Sequence, residues 1–158
     1  MLSEEKEILE YIREAFSLRS QELYKPAIEM LYKALAMDND NIEVLFQLGE
    51  LYFLMKNYNR ATKYLEQVLN QSPNHLESMK LLQRISFEEG YFSEALTFSE
   101  KIFKEEKKPE NLKNLVMNYA KLNLLDKLSK YEKDKFATPE VIYEIANAYY
   151  NNEDTKKA

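Results

Sequence analysis

Aromatic residues stand at Tyr24, Tyr58 and Phe92, each 34 residues after the last, and an alanine follows each by three positions, at Ala27, Ala61 and Ala95. Two unrelated residue types sharing one period mark an internal repeat, and a repeat of this length is a supersecondary unit that buries its apolar face by stacking on its neighbours. Other apolar positions keep the frame: Tyr11, Leu45 and Met79, then Leu31 and Leu65, then Ala34, Val68 and Ile102, then Leu35, Leu69 and Phe103. The frame sets repeats at 8–41, 42–75 and 76–109.

Each repeat reads as two helices. In the second, Leu45, Leu48, Gly49 and Tyr52 recur on one helical face, and Ala61, Leu65 and Val68 do the same after the polar break Lys56, Asn57, Tyr58, Asn59. Ser72, Pro73 and Asn74 end the second helix and launch the next, because proline cannot continue a helix it enters. Composition agrees. With 2 glycines and 4 prolines in 158 residues, the chain lacks the turn residues that a many-stranded sheet needs at its reversals.

These residues resemble the tetratricopeptide repeat. Repeat two reads L-x-x-L-G-x-x-Y from Leu45 to Tyr52, followed by Tyr58, Ala61, Leu65, Val68 and Pro73 at the family's signature places. The resemblance implies an all-α, right-handed helical solenoid of antiparallel helix pairs, in which small Gly49 and Ala61 let helices A and B of one repeat meet. Glu14, Gln83 and Ser99 depart from the pattern in repeats one and three.

The fourth unit, 110–138, is shorter. Leu112, Leu115, Val116 and Tyr119 mark its helix A, Leu125 and Leu128 open helix B, and the next helix starts near Pro139. A stubby B helix, Asp126 to Lys135, and a local change of superhelical twist are expected. A partial fifth unit, 139–158, starts with Ile142, Ile145, Ala146 and Tyr149, and Ala158 falls where the next helix-packing alanine belongs. The expected architecture is therefore one array of nine helices, cut inside a longer one. Covering the apolar face of the last helix leaves two outcomes: it packs on the fourth unit and closes the array, or two chains pair through it as a homodimer. The short fourth B helix favours pairing.

No catalytic, metal or cofactor site is expected. There is no cysteine, which excludes disulfides, thiolate metal sites and cysteine nucleophiles. His75, the single histidine, follows Pro73 in a turn beside Asn74 and Leu76, with no nucleophile or orienting partner near it in sequence, and reads as a solvated turn residue. Asp38, Asn39, Asp40 and Asn41 approach a calcium loop, but no glycine follows to turn it. The glutamates fall mostly on polar helix faces, where they pair with lysines. A formal charge of −5 and well-mixed charges oppose nucleic-acid binding, although 13% aromatic content keeps an RNA-binding helical repeat as a third reading. Met1 to Glu10 carries four glutamates and no signal-length apolar run, and no apolar stretch is long enough to span a membrane, so a cytoplasmic protein is expected.

The resemblance also implies a ligand groove, since places two, five, nine and twelve of each repeat line the family's concave face. Those places hold Leu9, Ile12, Phe16 and Arg19; Glu43, Phe46, Glu50 and Phe53; Glu77, Lys80, Arg84 and Phe87; Glu110, Lys113 and Met117; and Tyr143, Asn147 and Tyr150. Of these, Ile12, Phe16, Phe46, Phe53 and Phe87 are apolar where no core is expected to explain them, which marks an interaction surface. Lys80, Arg84 and Lys113 form a small basic step suited to an acidic residue on the ligand. The family's clamp for chaperone C-terminal carboxylates would fall on Ile12, Phe16, Gln47, Glu77 and Leu81, none of which matches, and that ligand is rejected. The function expected is a protein-interaction scaffold holding a helix or extended peptide of a partner. The alternative is an accessory or oligomerisation part of a longer enzyme or regulatory protein.

Overall fold

The computed structural model describes residues 2–157, except the side chains of Leu2 and 154–157, so Ala158 lies outside the described residues. Among them are nine α-helices: α1 (Leu2–Ser20), α2 (Tyr24–Met37), α3 (Ile42–Leu54), α4 (Tyr58–Gln71), α5 (Leu76–Glu88), α6 (Phe92–Glu105), α7 (Pro109–Lys121), α8 (Leu125–Leu128) and α9 (Pro139–Lys157). They form two compact units, Met1–Leu81 and Leu82–Ala158, with the boundary inside α5. Helix α1 begins six residues before the expected start of repeat one, with Glu4 and Glu5 in its first turn, where the helix dipole favours acidic side chains.

One turn recurs between the two helices of each repeat. Glu22, Lys56, Gly90 and Asn123 all take positive φ, at 61°, 57°, 82° and 55°. The residue after each donates its N–H back five residues, Leu23 to Leu18 at 2.9 Å, Asn57 to Tyr52 at 2.9 Å, Tyr91 to Ser86 at 2.7 Å and Leu124 to Tyr119 at 2.9 Å. This is a left-handed C-terminal cap, which satisfies orphan carbonyls and reverses the chain within three residues. Only Gly90 adopts it without a Cβ penalty.

In the first unit, Ala27, Leu31 and Ala34 of α2, Val44, Leu45 and Leu48 of α3, and Ala61, Leu65 and Val68 of α4 are fully or almost fully buried. Helix starts are capped by side chains. Asn41 accepts from Val44 N at 3.1 Å, Asn57 accepts from Arg60 N at 3.3 Å, and His75 Nδ1 accepts from Ser78 N at 3.2 Å.

In the second unit, Phe103 packs with Leu112, Leu115, Val116, Tyr119, Leu128, Val141 and Ile145. Two expectations need correction here. Helix α8 ends at Leu128 and tightens into a 3₁₀ turn, Ser129–Tyr131, instead of running to Lys135. After Leu128 the segment to Lys135 offers only Tyr131 for an inward apolar stripe. Tyr131 and Phe136 instead set their ring edges against Phe103, at 6.1 and 6.3 Å between centroids, and the Asp134 carboxylate accepts from Phe136 N at 2.9 Å.

The second correction concerns α9. Its inward face is Val141 and Ile145, with Ala148 and Tyr149 packed beside them, rather than Ile142, Ile145, Ala146 and Tyr149. Ile142 and Ala146 are exposed. The helix packs against α7 and touches α8, and Tyr149 Oη donates to the Leu125 carbonyl at 3.4 Å. Ile142 and Ala146 occupy the places that face helix B of the same repeat, and among the described residues no helix follows α9.

Candidate functional site

In the first unit, Phe16 is 63% exposed on α1, with Ile12 half-buried one turn before it. Arg19, at the end of the same helix, donates to Glu50 of α3 from both terminal guanidinium nitrogens, Nη1 to Oε2 at 2.5 Å and Nη2 to Oε1 at 3.1 Å. The remaining aromatics have partners within the unit. Phe46 lies 4.9 Å from the His75 ring, and Phe53 lies 5.9 Å from Tyr58. His75 is therefore not a merely solvated turn residue. It is half-buried, caps α5 and accepts or shares a hydrogen bond with Ser78 Oγ at 2.9 Å. Lys80 donates to Glu77 at 3.1 Å within α5, so the expected basic step begins as an ion pair.

In the second unit, Phe87 meets Phe92 edge to face at 5.4 Å, repeating one period later the pairing of Phe53 with Tyr58. Phe53 and Phe87 are half-buried outside the core, and each has a ring partner on the next helix. Arg84 is exposed and Lys113 half-buried. A cleft of about 330 Å³ opens between α7 and α9, lined by Met117, Ala120 and Asn123 on one side and by Glu144, Asn147 and Asn151 on the other. It brings together Met117 and Asn147, two of the expected ligand residues. Tyr143 and Tyr150, at 66% and 64% exposed, stand elsewhere on α9.

Sequence reasoning missed a phenol cluster in the first unit. Tyr32 Oη lies 2.7 Å from Tyr52 Oη and 3.1 Å from Tyr64 Oη, while Arg60 donates to Tyr52 Oη at 3.1 Å. The Tyr52 and Tyr64 rings stack 5.8 Å apart. Burial pushes the Tyr32 and Tyr52 phenols above their usual range, and the hydrogen bond to Tyr52 holds the Arg60 guanidinium even more firmly protonated. In the second unit burial raises the Tyr119 phenol further, helped by its 2.7 Å hydrogen bond to Glu100. Phenols held neutral tie helices together. Among the described residues no group of three His, Cys, Asp or Glu side chains could hold a metal ion, and no helix is long and apolar enough to cross a membrane.

Paired helices, a shared left-handed turn and a small residue repeating at the first three helix crossings, Ala27, Ala61 and Ala95, define a helical-repeat solenoid. Residues 18–85 match the tetratricopeptide repeat, and the chain has the fold of such solenoids. Solved structures share the fold over nearly the whole chain. YrrB, described as a TPR protein with an unusual peptide-binding site, is 20% identical with a TM-score of 0.78, covering 90% of this chain and 76% of its own. MamA is 19% identical with a TM-score of 0.81, covering 94% and 84%, and a MamA double mutant is 15% identical with a TM-score of 0.82, covering 96% and 88%. No curated protein matches the sequence.

Proposed function

We propose that this chain is a non-catalytic, cytoplasmic interaction scaffold that takes a helix or extended peptide of a partner protein against the faces of its A helices. The observation that carries this reading is Phe16, a large apolar side chain 63% exposed on a rigid helix, one turn from Ile12. Burying such a side chain against a partner contributes about 1.5–3 kcal/mol. Arg19 and Glu50 pair beside it and form a polar rim of fixed geometry. Phe46, Phe53 and Lys80 flank this site on the first unit; on the second unit the same role falls to Met117, Tyr143, Asn147 and Tyr150, with Arg84, Phe87 and Lys113 as flanking contacts. The peptide-binding site in the description of YrrB supports the same use of the fold.

Affinity capture with the wild-type chain and with Phe16→Ser tests the reading. A partner retained by the first and lost by the second is expected. Identical retention by both rejects the first-unit site. Phe16 is the better probe than Phe46 or Phe53, whose rings also hold His75 and Tyr58 in place.

A second reading draws on Ile142 and Ala146, exposed on α9 at places that otherwise face a helix. Two chains pairing through this face would form a homodimer. Light scattering across a dilution series decides it, and a monomer mass at every concentration rejects the pairing.

A further inference from the structure

The cleft between α7 and α9 carries chemistry of its own. Asn147 and Asn151 sit four residues apart on one face of α9, both exposed and both lining the cleft. Each side-chain amide offers one acceptor oxygen and two donor hydrogens, the same complement as a peptide group. Four residues of helix rise about 6 Å, and two residues of extended chain span about 6.6 Å. Two amides at this spacing match alternate residues along the edge of an extended strand, where a backbone N–H and C=O point the same way.

The cleft's lining carries two opposite charges, Glu144 and Lys121. Glu144 lines the α9 side and is in none of the ion pairs among the described residues. Lys121, on the α7 side, holds its ammonium over the Phe92 ring, 5.7 Å from the centroid. Met117, Ala120 and Ala148 make an apolar floor, where two alanines leave room and a methionine adapts its shape to what enters.

We infer that this cleft binds an extended peptide segment bearing a lysine or arginine, its backbone held by Asn147 and Asn151 and its cation by Glu144. The inference rests on the peptide-binding reading above and adds the ligand's charge and conformation. Backbone pairing makes recognition tolerant of sequence, while Glu144 selects the sign of one side chain.

The probe is a displayed library of random dodecapeptides selected on the full chain, followed by calorimetric titration of selected peptides. Retained peptides are expected to be enriched in lysine and arginine. Their affinity should fall about tenfold or more with the Asn147→Ala, Asn151→Ala double variant, as expected for two lost hydrogen bonds. Glu144→Gln should remove the preference for a basic peptide over its glutamine-substituted copy. All three side chains lie outside the buried core, so unchanged circular dichroism is expected and confirms that the variants fold. Peptides that bind the double variant as tightly as wild type but lose affinity with Phe16→Ala overturn this inference and leave the scaffold reading standing. A library from which the wild-type chain retains nothing overturns both.

Discussion

Gly49 of α3 lies so close to Leu65 of α4 that a Cβ on the glycine would stand 2.7 Å from Leu65 Cδ2 and 2.8 Å from its Cγ. Leu65 is fully buried. Replacing a helical glycine by alanine normally stabilises by up to about 1 kcal/mol. Here the overlap opposes that gain, and overpacking a filled core costs about 1–3 kcal/mol. Gly49→Ala is expected to lower the urea midpoint with an unchanged slope, and Ala61→Leu, at the same crossing, to lower it further. A raised midpoint for Gly49→Ala would show that α3 and α4 can separate without loss.

The four A-to-B turns differ in strain although they share one backbone shape. Lys56 and Glu22 hold positive φ with a Cβ present, which glycine does without penalty. Lys56→Gly and Glu22→Gly should each stabilise by about 0.5–1 kcal/mol, net of the extra freedom glycine brings to the unfolded chain. Gly90→Ala should do the reverse. No atom stands within 4 Å of the added methyl, so its cost is conformational alone. Thermal melts of the three variants check the pattern.

Burial and hydrogen bonding raise the Tyr119 and Tyr52 phenols above the usual value of 10.0. A folded state that holds these protons more tightly than the unfolded chain loses stability only once pH exceeds the unfolded value. The contribution is therefore complete below about pH 10 and declines above it. Tyr119→Phe should shallow the alkaline fall in Tm relative to wild type, although it loses the bond to Glu100 at neutral pH. Parallel alkaline slopes for the two proteins would show that Tyr119 does not contribute.

The two isoleucines of α9 separate its faces. Ile145 is 3% exposed within the second unit's core, whereas Ile142 is 39% exposed. Ile145→Ala should cost about 2–4 kcal/mol through the cavity it leaves. Ile142→Ser should change monomer stability by no more than about 0.5 kcal/mol. Chemical denaturation of both variants at low protein concentration measures the contrast.

The 34-residue spacing by itself determined the repeat frame, the helix pairs and the burial of Ala27, Ala61 and Ala95, because a residue's place on a helix face follows from its position along the chain. The resemblance to the tetratricopeptide repeat, added to that spacing, put Phe16 on an exposed A-helix face. Only the tertiary structure decided which side chains meet across helices: Arg19 with Glu50, His75 with Phe46, and the phenols of Tyr32, Tyr52 and Tyr64. Those pairs join residues from different elements of the fold, and their separations are set by how the helices pack rather than by any local periodicity. The end of the chain shows the same division. Spacing marked Ile142 and Ile145 alike as apolar, but packing on α7 turned Val141 and Ile145 inward and left Ile142 outside, since a helix covered on one side buries only the face its neighbour reaches.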